Sequence, residues 1–155
     1  MQAIRVRNAT PADAELFAGF NAAMALETED KVLDPERLLS GVQGIFEEPG
    51  RGRYFVATGE ADVPVGGCLV TYEWSDWRAG DFWWLQSVYV RPEMRGKGVF
   101  RALYDHIVAL AKNTPGVCGL RLYVESENRR AQAVYEAVGM GESHYRLFEI
   151  DFVLG

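Results

Sequence analysis

At 155 residues, 48% apolar and 25% charged, the chain has the size and make-up of one soluble globular domain, expected to run from residue 1 to residue 155. No apolar run approaches the roughly 20 residues that cross a bilayer, and Met1 to Val6 has no hydrophobic signal core, so neither a membrane nor export is expected and the setting reads as cytoplasmic. A net charge of -6 argues against nucleic acid, whose phosphates call for a basic surface, and suits the steering of a cationic partner.

Ala3 to Asn8 alternates Ile4 and Val6 with Arg5 and Arg7, the period of a half-buried strand. Thr10-Pro11-Ala12-Asp13 is a helix start, with a capping Thr, Pro in the first turn and an acid three residues on. Phe17, Phe20 and Met24 then recur at helical spacing, and Glu27-Thr28-Glu29-Asp30 reads as an acidic connector. Asp34-Pro35 opens a second helix with Leu38, Val42, Ile45 and Phe46 on one face, closed by Pro49-Gly50.

Strand character begins at Gly52. Arg53 to Gly59 is one strand, Val65 through Trp74 a second, and Phe82 to Val90 a third whose apolar density suits a central position covered on both faces. Val99, Leu103, Ile107 and Leu110 share one face of a helix that Asn113-Thr114-Pro115-Gly116 ends. Val117 to Glu125 alternates as a strand. Ala131, Val134, Tyr135 and Val138 mark a last helix that Gly139 stops, and Tyr145 to Val153 reads as a final strand. The expected order is β-α-α-β-β-β-α-β-α-β, an α/β domain with a mixed central sheet of about six to seven strands flanked by four helices. Cys68 and Cys118 lie in strand-like stretches and read as reduced core thiols. His106 and His144 are isolated, so no metal site is expected.

The chemistry concentrates after the third of these strands. Arg95-Gly96-Lys97-Gly98 joins a strand to a helix, and glycines at a helix start let successive N–H groups face one point. The positive end of the helix dipole and the charges of Arg95, Lys97 and Arg101 complete an anion site suited to a pyrophosphate. A dinucleotide fingerprint would need glycine where Arg101 stands, and a nucleotide-hydrolase loop would need Ser or Thr where Gly98 stands.

The segment resembles motif A of the GNAT superfamily of N-acetyltransferases, Arg/Gln-x-x-Gly-x-Gly/Ala after the fourth strand. Arg95 and Gly98 match and Gly96 is common there, whereas Phe100 stands at the usual Gly/Ala position. Asn128, Ala131, Tyr135 and Gly139-Met140, following Leu120 to Val124, resemble the family's motif B. The order of elements matches the family fold over essentially the whole chain.

The resemblance implies an acetyl-CoA-dependent N-acyltransferase that moves an acetyl group to a primary amine by direct attack on the thioester. Val88, Tyr89 and Val90 would end a strand that splays from its neighbour, and the pantetheine arm would pair with the free edge as an added strand. The Val88 N–H would stabilise the oxyanion. Arg95 to Arg101, that is Arg95, Gly96, Lys97, Gly98, Val99, Phe100 and Arg101, would hold the cofactor with Asn128, which on its own residue type is a helix cap. Tyr135 is the candidate general acid for the leaving thiolate, against the alternative of a core tyrosine.

Glu73, near the end of its strand, is the candidate base, with Glu27, Glu29, Asp76 or a water relay as alternatives. Trp74, Asp76 and Trp77, with Glu27 and Glu29, are candidates for an acceptor site that attracts an ammonium. Trp83 and Trp84 point to opposite sheet faces, so at least one belongs to the core. The partners expected are a small, cationic amine and no nucleic acid, with a homodimer left open. Two other readings stand beside this one: a peptide or protein N-acetyltransferase, and a non-catalytic acyl-CoA sensor. Acetyl against a longer acyl group is also open.

Overall fold

The structure, a computed structural model, describes residues 3–155. The described residues fall into two compact units, divided between Leu122 and Tyr123.

The first unit is built on a five-stranded sheet of order β1-β2-β3-β4-β5. Its strands are β1 (Arg5–Asn8), β2 (Gly52–Thr58), β3 (Pro64–Ser75), β4 (Gly80–Val90) and β5 (Val117–Arg121). All neighbours are antiparallel except β4 and β5. That parallel pair requires a crossover, which α3 (Val99–Lys112) supplies.

Each face of the sheet has its own core. Val99, Leu103, Ile107 and Ala111 of α3 bury against Phe55, Ala57, Val65, Cys68, Val70, Trp83 and Leu85. On the opposite face, α1 (Ala14–Glu29) and α2 (Pro35–Glu47) bring Phe17, Phe20 and Val42 onto Tyr54, Val56, Leu69 and Tyr89. Trp83 is buried and Trp84 half-buried, as strand alternation requires.

Local signals set the helix ends. Arg7 binds both carboxylate oxygens of Asp13, at 2.8 and 2.9 Å, and Asp13 also accepts the Thr10 N–H at 2.8 Å. These bonds, the Arg7 bond foremost, hold the Asp13 carboxyl below its ordinary range. Asp34 caps α2 through the Glu36 N–H, with Pro35 in its first turn. The acidic segment read as a connector is instead the end of α1, which continues to Glu29 and stops at Asp30 in the left-handed conformation. Glu27 therefore stands on a helix, in a fixed direction.

The second unit contains α4 (Arg129–Ala137), capped by Asn128, whose Oδ1 accepts the Ala131 N–H at 3.1 Å. Gly139 follows the helix with φ of +100°. The expected strand Tyr145 to Val153 does not form, so among the described residues the sheet has five strands rather than six or seven. Its apolar alternation is present, but Phe148 and Phe152 stay 91% and 92% exposed. Asp151 accepts the N–H groups of Val153 and Leu154, which turns the chain where a ladder would have to continue. No helix among the described residues is long and apolar enough to cross a membrane.

Close packing of α1 depends on Gly67, since a Cβ there would strike the Phe17 ring and stand 3.0 Å from the Phe55 carbonyl oxygen. Gly67→Ala is expected to lower stability by about 1–3 kcal/mol, the usual cost of an overfilled core, read as a fall in the midpoint of thermal unfolding.

Candidate active site

Pairing between β4 and β5 covers only Asp81 to Trp84, with Trp84 opposite Arg121. β4 runs on to Val90, so its last six residues extend past the end of that ladder. On the other side, Gly67 pairs with Tyr89 and Leu69 with Gln86. One β3 residue, Cys68, thus faces two on β4, Ser87 and Val88: a β-bulge. Ser87 occupies it with φ of +49°, a left-handed conformation rare for a residue with a side chain.

The bulge changes which way β4 side chains point. Trp83 and Leu85 face α3, and strict alternation would send Ser87 and Tyr89 there too. Instead Val88 and Val90 pack on the α3 core, while Tyr89 joins the α1 face. Nothing in the residue types at Gln86-Ser87-Val88 announced this. The signal that was available is the parity change itself, apolar residues at 83 and 85 and then at 88 and 90.

Tyr89 so placed reaches α1. Its hydroxyl donates to Glu27 Oε1 at 3.0 Å, and Arg95 donates to Glu27 Oε2 at 2.7 Å. Arg95 also donates through Nε to the Val90 carbonyl at 2.9 Å and lies 5.5 Å from the Tyr89 ring centre. The Arg95 bond, with a smaller contribution from Tyr89, holds the Glu27 carboxyl below its ordinary value. Burial first, and then the Glu27 bond, raises the Tyr89 phenol. Glu27 was an acceptor-site candidate; the structure ties it to the root of the glycine loop. Arg95 likewise spends two of its donors on the protein, bracing that loop.

Beyond Arg95, Gly96 and Gly98 take φ of +76° and +85°, and a Cβ at either would meet nothing within 4 Å. Glycine is needed there for backbone freedom, not for room. Gly98 leads α3 without a side-chain cap, and its carbonyl accepts the Ala102 N–H. The N–H groups of the first turn have no partner within the helix. A pyrophosphate fits such a turn, and a peptide-like arm fits a strand edge past the end of its ladder; the residues present suit CoA. Arg101 bonds to Asp105 along the helix, and the Phe100 ring centre lies 6.0 Å from that of Tyr104.

On the face opposite α3, Glu73 Oε1 accepts from Trp84 Nε1 at 3.1 Å and from Arg121 at 2.8 Å. The candidate base is thus held in an ion pair. Trp74 lies at the end of β3, next to Ser75, and Asp76 and Trp77 lie in the β3–β4 turn, with Trp74 and Trp77 64% and 84% exposed. From Asp81, opposite Trp74, to Ser87 is six residues of strand, roughly 20 Å. This distance along the strand separates them from the bulge. Glu29 is exposed at the end of α1. Asn128 and Tyr135 belong to the second unit, where Asn128 caps α4 and Tyr135 lies half-buried on it.

Cys68 is buried beside the bulge, with Sγ 3.6 Å from the Gln86 carbonyl oxygen. Burial pushes its thiol up to about 12, so it stays protonated. Cys118 is also a free thiol.

A sequence profile described as "Acetyltransferase (GNAT) family" matches residues 20–140. The thialysine N-epsilon-acetyltransferase of Bos taurus is 33% identical over 81 residues, 49% of this chain and 46% of that protein. Its counterpart in Caenorhabditis elegans is 32% identical over 77 residues, 50% of this chain and 47% of that protein. These matches span about half the length of the curated relatives. The crystal structure of a possible acetyltransferase from Clostridium difficile 630 is 41% identical and superposes with a TM-score of 0.89, covering 97% of this chain and 98% of that one. At 16% identity, the aminoglycoside N-acetyltransferase AAC(6')-Iy, solved with CoA, shares the fold, with a TM-score of 0.76 over 98% of this chain and 97% of its own.

Two outcomes are expected at this site. Gly98→Val forces a β-branched residue into the left-handed region, so the dissociation constant for acetyl-CoA measured by calorimetry should rise about tenfold or more. Glu27 has a carboxyl lowered from 4.5, so its bonds stabilise the fold above that pH and are lost as pH falls through the folded value. The stability difference between the parent and Glu27→Gln should therefore be present at pH 7 and shrink as the pH is lowered below 4.5, measured by denaturant unfolding across a pH series.

Proposed function

Because the chain belongs to the Acetyltransferase (GNAT) family, we propose that it is an acetyl-CoA-dependent N-acetyltransferase acting on a small amine. The observation that carries this reading is the pairing of two features in one unit: the Gly96–Gly98 turn leading into α3, and β4 continuing past its ladder with β5 through a bulge. The first suits a pyrophosphate and the second a peptide-like arm ending in a thioester, and they follow each other along the chain.

On this reading Gly96, Lys97, Gly98 and the first turn of α3 bind the phosphates, with Arg95 bracing the turn and Lys97 and Arg101 adding charge. The β4 edge beyond its ladder with β5, Val88 to Val90, orients the arm, and the Val88 N–H faces the charge that develops on the acyl oxygen. Acetyl-CoA supplies an activated acyl carbon whose leaving group is a thiolate. Tyr135 gives that thiolate a proton; the support is its place in the resembling motif. Asn128 is a helix cap that the same motif links to the cofactor.

Thialysine, named for the Bos taurus relative, is a small amine, which supports a small acceptor over a protein. A cytoplasmic setting suits two free cysteines. A CoA-release assay over an amine panel tests the reading: release that depends on the amine supports it, and acetyl-CoA binding without release for any amine favours a sensor.

Tyr135→Phe keeps the ring and removes one hydroxyl. If the phenol protonates the leaving thiolate, turnover should fall ~10²–10⁴-fold, while calorimetry shows unchanged acetyl-CoA affinity and the unfolding midpoint stays that of the parent. Unchanged turnover would pass the role to water, and a joint loss of stability and binding would make Tyr135 a packing residue.

A further inference from the structure

Glu73 and Arg121 meet on the sheet face opposite α3, at the last step where β4 and β5 are still paired. An exposed ion pair of this kind ordinarily contributes little, because ordering two long side chains offsets the attraction. Here the ordering is already done by packing. The Arg121 guanidinium lies 3.6 Å from the Phe82 ring centre, and Arg78 lies 4.9 Å from the same centre. Phe82 is itself buried, and its ring lies over Gly119, where a Cβ would come within 2.7 Å. Trp84 Nε1 fixes Glu73 from the other side.

The pair nevertheless retains bonding capacity. Both bonds to Glu73 fall on Oε1, which leaves Oε2 as an acceptor, and Arg121 bonds through one terminal nitrogen of its five N–H groups. The side chains keep 47% and 31% of their surface exposed. A fixed carboxylate beside a fixed guanidinium, each with an atom to spare, complements an ammonium beside a carboxylate. Arg in particular binds a carboxylate through two parallel bonds.

The separation from the bulge also bears on the ligand. Trp84, level with Arg121, is three strand residues from Ser87, roughly 10 Å. The Gln86–Thr71 hydrogen bond lies between them on the same face, giving that stretch a polar floor. This is the span of a head group followed by a side chain of the lysine kind, with its four-carbon stem.

We propose that the Glu73–Arg121 pair is the acceptor's head-group site, and that the acceptor is an amino acid acetylated on its side-chain amine. Arg121 takes the carboxylate, Glu73 the α-ammonium, and the distal amine reaches the bulge. Glu73 is then a binding group, not the general base. The proposal rests on the acetyl-transfer reading above. In that transfer the distal ammonium releases one proton to water, its nitrogen bonds to the acyl carbon as the C–S bond breaks, the Tyr135 phenol protonates the departing sulfur, and the second proton from nitrogen restores the phenol.

The test compares L-lysine with 1,5-diaminopentane, which has the same chain and no carboxylate, in parent and Arg121→Gln. The parent should show kcat/KM about tenfold or more higher for lysine. Arg121→Gln should erase that preference through KM for lysine, with KM for acetyl-CoA unmoved. Equal use of both amines by the parent, or a preference that survives Arg121→Gln, overturns the head-group site and identifies a mere surface ion pair. If neither amine is acetylated, calorimetry with CoA present decides: lysine binding that requires Arg121 upholds the site while the transfer reading fails, and no such binding refutes the site.

Discussion

The site depends on how β4 leaves its neighbours. On one side its ladder with β5 stops at Trp84, and on the other the extra residue at Ser87 breaks its register with β3. Either change alone would be unremarkable in a sheet. Together, within three residues, they turn a central strand into one with an edge available and with its backbone groups reset. A central strand has no spare N–H or C=O groups, so an extended ligand has nothing to pair with until the ladder ends. Ser87 holds a backbone conformation that costs about 1–2 kcal/mol for a residue with a Cβ, and the packed faces above and below maintain it. Strain of this sort persists only where its surroundings over-determine it.

The bulge also explains why α1 is connected to the glycine loop. Without the parity change Tyr89 would face α3, and Glu27 would lose one of its two bonded partners. With it, the end of α1, the end of β4 and the beginning of the anion turn meet in one cluster of Glu27, Tyr89 and Arg95. Each member has its position set by a different element. Arg95 thereby acts first on the protein: it pins the loop in which Gly96 and Gly98 adopt conformations that other residues resist. If the turn binds phosphates as proposed, it does so through backbone N–H groups, next to an arginine held by Glu27 and the Val90 carbonyl.

Much of this was legible in the residues. The glycine turn, the amphipathic face of α3, the Asp34 and Asn128 caps and the split of Trp83 and Trp84 follow from local rules acting over three or four positions. What escaped was non-local. Glu27-Thr28-Glu29-Asp30 has no apolar residue and so reads as a connector, yet a helix end needs only solvent on that side and a stop, which Asp30 supplies. Tyr145 to Val153 carries the alternation of a strand, but alternation states only which face would be buried. A ladder partner has to exist as well, and none of the described strands pairs with these residues. The Glu73–Arg121 pair lies 48 residues apart in sequence, and only the parallel register of β4 and β5 brings it together.

That pair also qualifies what the net charge of -6 can say. A global charge acts over distances comparable to the Debye length, about 8–10 Å at physiological salt, and so influences encounter. Recognition is decided within hydrogen-bond reach, where the described face carries Arg78 and Arg121 on one phenylalanine ring beside a single bonded carboxylate. An acceptor drawn in by the acidic surface would therefore meet, at the sheet, a guanidinium that favours an anionic group. A molecule bearing both charges satisfies the long-range field and the local contact together, whereas a polyamine satisfies only the first.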